Sequence, residues 1–361
     1  MPQAPNQDLT AFVERMGGDR ALRVEESLGQ GFVRLRVAEA ERRQAAHDIR
    51  CSEDVVIEML RNARDAGARR VFVATSREGT LRQTVMLDDG CGIPKGLWDT
   101  VFDARVTSKL ESVHMDRWGV HGRGMALFSI RENAKVAEVV DSVVDGGSTI
   151  RVVTDTERLP EKSDQSSWPS VGRADDGTRV IERGPHNIVR TCCEFALEER
   201  GRCEVYLGSA AEIAATIRSK VRSSHSASDL LFVDNLATLP VLERFRLASD
   251  ARELRQVAAG CGLEMSERTA HRIVAGRIKP MRSVLARLEH AATPRERRPV
   301  DLGVDRRGLH IGKDDAEEFL RMMERDFAYL SDRYYLSLGT EPRLRVSGRR
   351  ITVTFEVDSE D

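Results

Sequence analysis

Long apolar runs are missing from this chain, and nothing approaches the roughly 18 residues that cross a bilayer. The first residues, "MPQAPNQDLTAFVERMGG", are polar and loose and lack the basic-then-apolar order of an export signal. Metal-type cysteine pairs are missing too. Cys51, Cys91, Cys192, Cys193, Cys203 and Cys261 form no CxxC and have no histidine at ligand spacing, which excludes a zinc site and a disulfide framework. They read as buried thiols, apart from Cys91, which lies inside a glycine turn. Nor does one charge dominate: 56 Lys and Arg against 58 Asp and Glu leave a net charge of -2, so any basic surface must be local. The expectation is a soluble cytoplasmic protein with no membrane partner.

What is present organises the 361 residues into two or three domains. After a loose terminus over 1–17, an α/β region is expected over 18–210. It starts with a helix, "RLRVAEAERRQAAHDIR", and a second, "EDVVIEMLRNARDAG", ending at Gly67 as a C-cap. The strands "RRVFVAT" and "TVMLDDG" follow, and 103–118 reads as an irregular polar loop. Next come a glycine turn opening a helix, "GVHGRGMALFSIREN", and the strands "KVAEVVDSVV", "STIRVVTD" and "TRVIERG". The texture is helical over 211–292. A Pro-containing linker, an amphipathic helix near 313–333 and a hairpin in which Ile351, Val353, Phe355 and Val357 alternate fill 293–361.

Three motifs carry chemistry. In the second helix Glu58, Asn62 and Asp65 share one stripe among Val55, Val56, Ile57, Met59, Leu60, Ala63 and Ala66. A polar stripe on an otherwise apolar helix needs a partner. "DDGCGI" puts Asp88 at a strand end, where it can accept from an exocyclic amine, while Gly90 and Gly92 let a planar base approach the backbone. "GVHGRG" sets Gly119, Gly122 and Gly124 before a helix, offering backbone N–H groups to phosphates. Beside those phosphates Asn62 can offer its amide oxygen to Mg²⁺, and Glu58 can deprotonate a water for in-line attack.

Taken in order, ExxxNxxDA at Glu58 to Ala66, DxGxG at Asp88 to Gly92 and GxxGxG at Gly119 to Gly124 resemble the GHKL ATPase superfamily of gyrase, Hsp90, histidine kinases and MutL. "RNARDAG", "DDGCGI", "VTSK" and "GVHGRGMALFSI" look most like MutL, and the resemblance covers 20–210. It implies an α/β two-layer sandwich, followed here by a helical module and a small C-terminal α/β segment. It also implies ATP and Mg²⁺ as ligands, with Glu58 as general base, Asn62 as the magnesium ligand and Asp88 as adenine reader. Asp65, Gly90, Gly92, Ile93, Gly119, Gly122, Arg123, Gly124 and Met125 are the further nucleotide contacts. Lys109 belongs to a lid, and Thr178 in "DGTRVIERG" to an adenine-bound water. In such relatives the closed lid makes a surface on which two ATPase domains pair, so an ATP-dependent homodimer is implied. MutL's following domain with its catalytic lysine, and an endonuclease motif, are not found, so mismatch repair does not follow. The rival reading is a phosphotransfer regulator using the same pocket. "AAHDIR" resembles a phosphoacceptor box, but His47 lies too close to Glu58 for a kinase's dimerisation hairpin and reads as a helix-surface residue. In a third reading ATP is a switch ligand with negligible turnover.

A second constellation, "LRQVAAGCGLEMSERTAHRIVAGRIKP", resembles a phage-repressor helix-turn-helix within 249–290, with a turn lengthened by "CGLEM". Ser266 is the expected N-cap of the second helix. Arg268, Thr269, Arg272, Arg277 and Lys279 are the expected DNA contacts, against a structural helical bundle as the alternative.

Overall fold

Strands apolar on both faces decide the architecture, because such strands are stable only when both faces are covered. In the computed structural model, β3 (Arg70–Glu78) and β4 (Leu81–Asp88) occupy the middle of a five-stranded sheet. The remaining strands are β8 (Val136–Ser142), β9 (Ser148–Asp155) and β12 (Glu204–Gly208), in the order β12-β3-β4-β9-β8. β12 runs parallel to β3 and every other pairing is antiparallel. The residues described are 24–37, 39–107, 114–116, 118–121, 124–174, 178–222, 236–292, 311, 313–334, 336–347 and 350–359. They fall into two compact units, 1–293 and 294–361.

One face carries Val71, Val73, Met86, Ile150, Val152 and Val205 and packs against α2 (Ser52–Asp65), α3 (Ala126–Asn133) and α4 (Ile188–Glu198). The other carries Phe72, Ala74, Val85, Leu87 and Tyr206, with Phe72 stacked on Tyr206 at 4.9 Å between centroids. Over it lie α5 (Ala210–Lys220), α6 (Glu243–Leu247), α7 (Ala251–Gly260) and α8 (Glu267–Val274). The mixed sheet with helices is the expected fold, and the helices after 210 add a third layer within the same unit. Arg244, 5% exposed, anchors that layer by pairing with Asp141 of β8. α9 (Val284–Ala292) returns to the first face through Val284 and Leu288.

Two local expectations change. The first helix does not begin at Arg34: β2 (Phe32–Leu35) takes those residues, alternating buried Val33 and Leu35, and pairs with β1 (Val24–Gly29). α1 (Glu39–Ala46) starts only where Glu39 and Glu41 supply an acidic first turn. Nor is 103–118 wholly irregular. β5 (Val106–Thr107) joins β2, and β6 (His114–Asp116) forms a hairpin with β7 (Gly119–His121).

The second unit holds α10 (Lys313–Tyr334), then β13 (Leu336–Leu338), β14 (Arg343–Ser347), β15 (Arg350–Thr354) and β16 (Val357–Ser359). The expected hairpin is β14–β15, but its second strand ends at Thr354; Phe355 stacks on Phe327 at 5.0 Å, and Val357 belongs to β16, which pairs with β13. No helix among the described residues is long and apolar enough to cross a membrane.

Candidate functional site

α2 buries Val55, Val56, Met59, Leu60 and Ala63 against the sheet, and Gly67, with φ +75°, ends it one residue past its C-cap. That packing fixes the azimuth of the remaining stripe. Glu58, Asn62 and Asp65 line a cavity of about 560 Å³, inside the range of about 300–1,000 Å³ usual for ligand sites. Asp88, Gly92, Ile93, Gly124, Met125, Ser148 and Trp118 contribute to the same wall.

Asp88 is 4% exposed at the end of β4. Its Oδ1 accepts from the Gly90 N–H at 2.8 Å and its Oδ2 from Ser148 Oγ at 2.6 Å, Ser148 being its direct cross-strand neighbour on β9. At its two glycines the turn after Asp88 leaves no room for a side chain. A Cβ on Gly92, whose φ is +69°, would lie 2.0 Å from the Val143 carbonyl oxygen. Ser142 Oγ accepts from the Ile93 N–H at 2.6 Å and holds the far end of the turn.

On the helix side two arginines organise the carboxylates. Arg61, its side chain 3% exposed, donates to Glu58 Oε1 at 2.6 Å and, through Nε and Nη2, to both oxygens of Asp116 on β6 at 2.9 and 3.0 Å. Arg64 donates to Asp65 at 2.9 Å, Asp116 at 3.1 Å and Glu199 at 3.4 Å. Burial by itself lowers the Arg64 pKa, but the hydrogen bonds and charges of Asp65, Asp116 and Glu199 outweigh it and raise the pKa above the ordinary arginine value.

Asn62 lines the cavity; its Nδ2, a donor, is buried without a hydrogen-bond partner among the described residues, and the atom that would face a cation is its amide oxygen. The described residues contain no cluster of three or more His, Cys, Asp or Glu able to hold a metal. One amide oxygen suits Mg²⁺, which commonly keeps water and phosphate oxygens and takes few protein ligands.

The other expected site residues divide three ways. Gly90 supports Asp88 from behind the cavity wall, and Gly119 pairs with Asp116 in the β6–β7 hairpin. Lys109, Gly122 and Arg123 lie outside the described residues. Thr178 is exposed between β10 (Ser170–Arg173) and β11 (Arg179–Arg183), its carbonyl accepting from the Ala174 N–H at 2.8 Å, and is not in the cavity wall; the hydroxyl that meets Asp88 is that of Ser148. Ser148, Arg61, Asp116 and Trp118 escape sequence reasoning. Only Ser148 leaves a signal, as the first residue of the strand "STIRVVTD".

In the third layer, α7 and α8 follow one another across the short segment 261–266. Ser266 accepts from the Thr269 N–H at 3.2 Å, and their hydroxyls lie 2.9 Å apart, which commits Thr269 to the cap. Leu254, Ala258, Leu263, Ala270 and Ile273 are buried, while Arg268, Arg272, Arg277 and Lys279 are exposed.

Residues 49–162 match the family described as histidine kinase-, DNA gyrase B-, and HSP90-like ATPase, which supports a domain of the GHKL type in this part of the chain. The DNA mismatch repair protein MutL of Thermus thermophilus is 40% identical over 84 residues, and that of Thermus aquaticus 42% over 83. Each match covers 23% of this chain and 15% of the relative. A mycobacterial sensor histidine kinase, MprB, is similar at 18% identity over 34% of this chain and 75% of its own, with a TM-score of 0.22.

Proposed function

We propose that this protein binds Mg·ATP in the cavity between α2 and the sheet and hydrolyses it slowly, as a switch coupled to DNA or to a protein partner. The observation that carries the reading is the placement of Asp88. A buried carboxylate, held by a backbone N–H and a hydroxyl, stands at one end of a cavity whose helical wall presents Glu58 and Asn62. Asp88 reads the adenine amine, Gly92 admits the base, and the start of α3 at Gly124 and Met125 receives the phosphates. Asn62 is the residue that would hold the ion, which supplies charge neutralisation on the phosphate oxygens when bound. Glu58 orients the water and takes its proton.

The partner is read from α8. Its buried Ala270 and Ile273 point one face inward, so Arg268 and Arg272 stand together on the face a duplex would meet, with Arg277 and Lys279 following. An ATP-dependent dimer is the other expected coupling. The deciding experiment is calorimetry with ATP and Mg²⁺ beside a turnover assay, each with and without duplex DNA. Glu58→Ala is expected to bind ATP as the parent does and to lose turnover, because its carboxylate acts on the attacking water and not on the bound ligand. Parent-rate hydrolysis by that variant assigns the base elsewhere, and labelled protein in place of released phosphate favours phosphotransfer.

A further inference from the structure

Glu58 has a task in the proposed reaction, and its posture is set from outside α2. The contacts run in a chain from the β6–β7 hairpin to the cavity. Asp116, its side chain 6% exposed, receives Arg61 Nε at 2.9 Å and Nη2 at 3.0 Å, a two-pronged pair that fixes the guanidinium plane. It also accepts from Arg64 at 3.1 Å and from the Trp118 N–H at 3.0 Å, so its own position depends on the hairpin. Arg61 then has Nη1 aimed at Glu58 Oε1, at 2.6 Å the shortest contact in the group. Glu58 is 19% exposed and faces the cavity.

We propose that Arg61 and Asp116 are positioning residues for Glu58: the hairpin carboxylate orients the guanidinium, and the guanidinium orients the base. This inference rests on the ATPase reading and adds a condition to it. Glu58 is competent only while the β6–β7 hairpin is seated on α2. A simple staple between hairpin and helix needs only the Asp116 pairings with Arg61 and Arg64. The third prong, into the cavity, is what links the staple to the chemistry. With Asn at 116, Arg61 keeps one acceptor but loses the second oxygen and the charge that fix its plane, so its fork is drawn toward Glu58 and holds that carboxylate away from the water. A lysine at 61 supplies charge but no fork, and cannot satisfy Asp116 on two oxygens while reaching Glu58.

The test uses the full-length protein with the substitutions Asp116→Asn, Arg61→Lys and Glu58→Gln, and the double variant Asp116→Asn with Glu58→Gln. Thermal melts establish that each is folded, calorimetry gives ATP affinity, and single-turnover assays give the rate. The expected result for Asp116→Asn and Arg61→Lys is ATP affinity within about threefold of the parent and a turnover rate lower by about tenfold or more. In the Glu58→Gln background, Asp116→Asn is expected to change the residual rate by less than about twofold, because the group it positions is already gone. A merely structural role predicts otherwise, slowing both backgrounds by the same factor, and that additivity overturns the proposal. Parent-rate turnover by Asp116→Asn overturns it as well. A parent that neither binds nor hydrolyses ATP fails at the calorimeter, before any variant is compared, and removes the ATPase reading together with the inference built on it.

Discussion

At the scale of single residues, the chemistry of Asp88 is set by what holds it. With one oxygen on the Gly90 N–H and the other on Ser148 Oγ, the carboxylate is fixed in the plane from which an amine can donate to it. Asp88→Asn is therefore expected to weaken ATP binding roughly ten- to a hundredfold, the equivalent of losing a charge-assisted hydrogen bond of about 1.5 to 3 kcal/mol. Ser148→Ala removes a neutral partner and is expected to cost about tenfold or less. Unchanged ATP affinity of Asp88→Asn in calorimetry takes this carboxylate out of the site. The thiols give a second residue-scale test. Burial pushes Cys193, Cys203 and Cys261 up to about 12, as it does Cys51, and raises Cys192 as well, so at pH 8 each is almost wholly protonated and slow to react. Cys91 is exposed and lines the cavity. Mass spectrometry after brief treatment with a thiol reagent is expected to find one label, on Cys91, and saturating ATP is expected to slow its addition. Labelling unaffected by ATP places the nucleotide away from this turn.

At the scale of elements, what the sequence discloses follows from how local each cause is. The α2 stripe is legible because a 3.6-residue period and a glycine stop are written in consecutive residues, and β4 because "TVMLDDG" is apolar on both faces. What covers the second face of β4 is not legible. The helices that do so begin more than a hundred residues later, and their apolar stripes do not name a partner. Ser148 shows the same limit, since its role comes from the register that sets it opposite Asp88. Thr178 draws attention by its place in "DGT", and no local signal tells that it precedes a strand of a separate two-stranded sheet. Arg61 reads as an ordinary helical charge because its partner Asp116 belongs to a hairpin more than fifty residues later. α8 yields the element-scale prediction. Replacing Arg268 and Arg272 together with Ala is expected to weaken DNA binding and to reduce the slope of log K against log salt by about 0.9 for each phosphate that is no longer neutralised. Both side chains are exposed, so folding is expected to survive. No DNA binding by the intact protein at low salt leaves α7 and α8 as a covering for the sheet.

At the scale of the whole molecule, the open question is whether nucleotide changes assembly. Between the glycine turn after β4 and the start of α3 runs the segment that holds "VTSK" and the β6–β7 hairpin, and its described part is tied to α2 through Asp116 and lines the cavity through Trp118. A segment so placed can respond to a terminal phosphate, and it can favour a dimer only by the free energy with which ATP distinguishes the two states. ADP lacks the group that makes the distinction and is expected to be a poor substitute. The Glu58→Ala protein should hold ATP without hydrolysing it, which makes it the material for the measurement. Light scattering with no nucleotide, with ADP and with ATP is expected to give monomer mass in the first two and a doubled mass in the third. Equal mass in all three, at ATP concentrations that calorimetry shows to be saturating, rules out the ATP-gated dimer and confines the segment to covering the pocket.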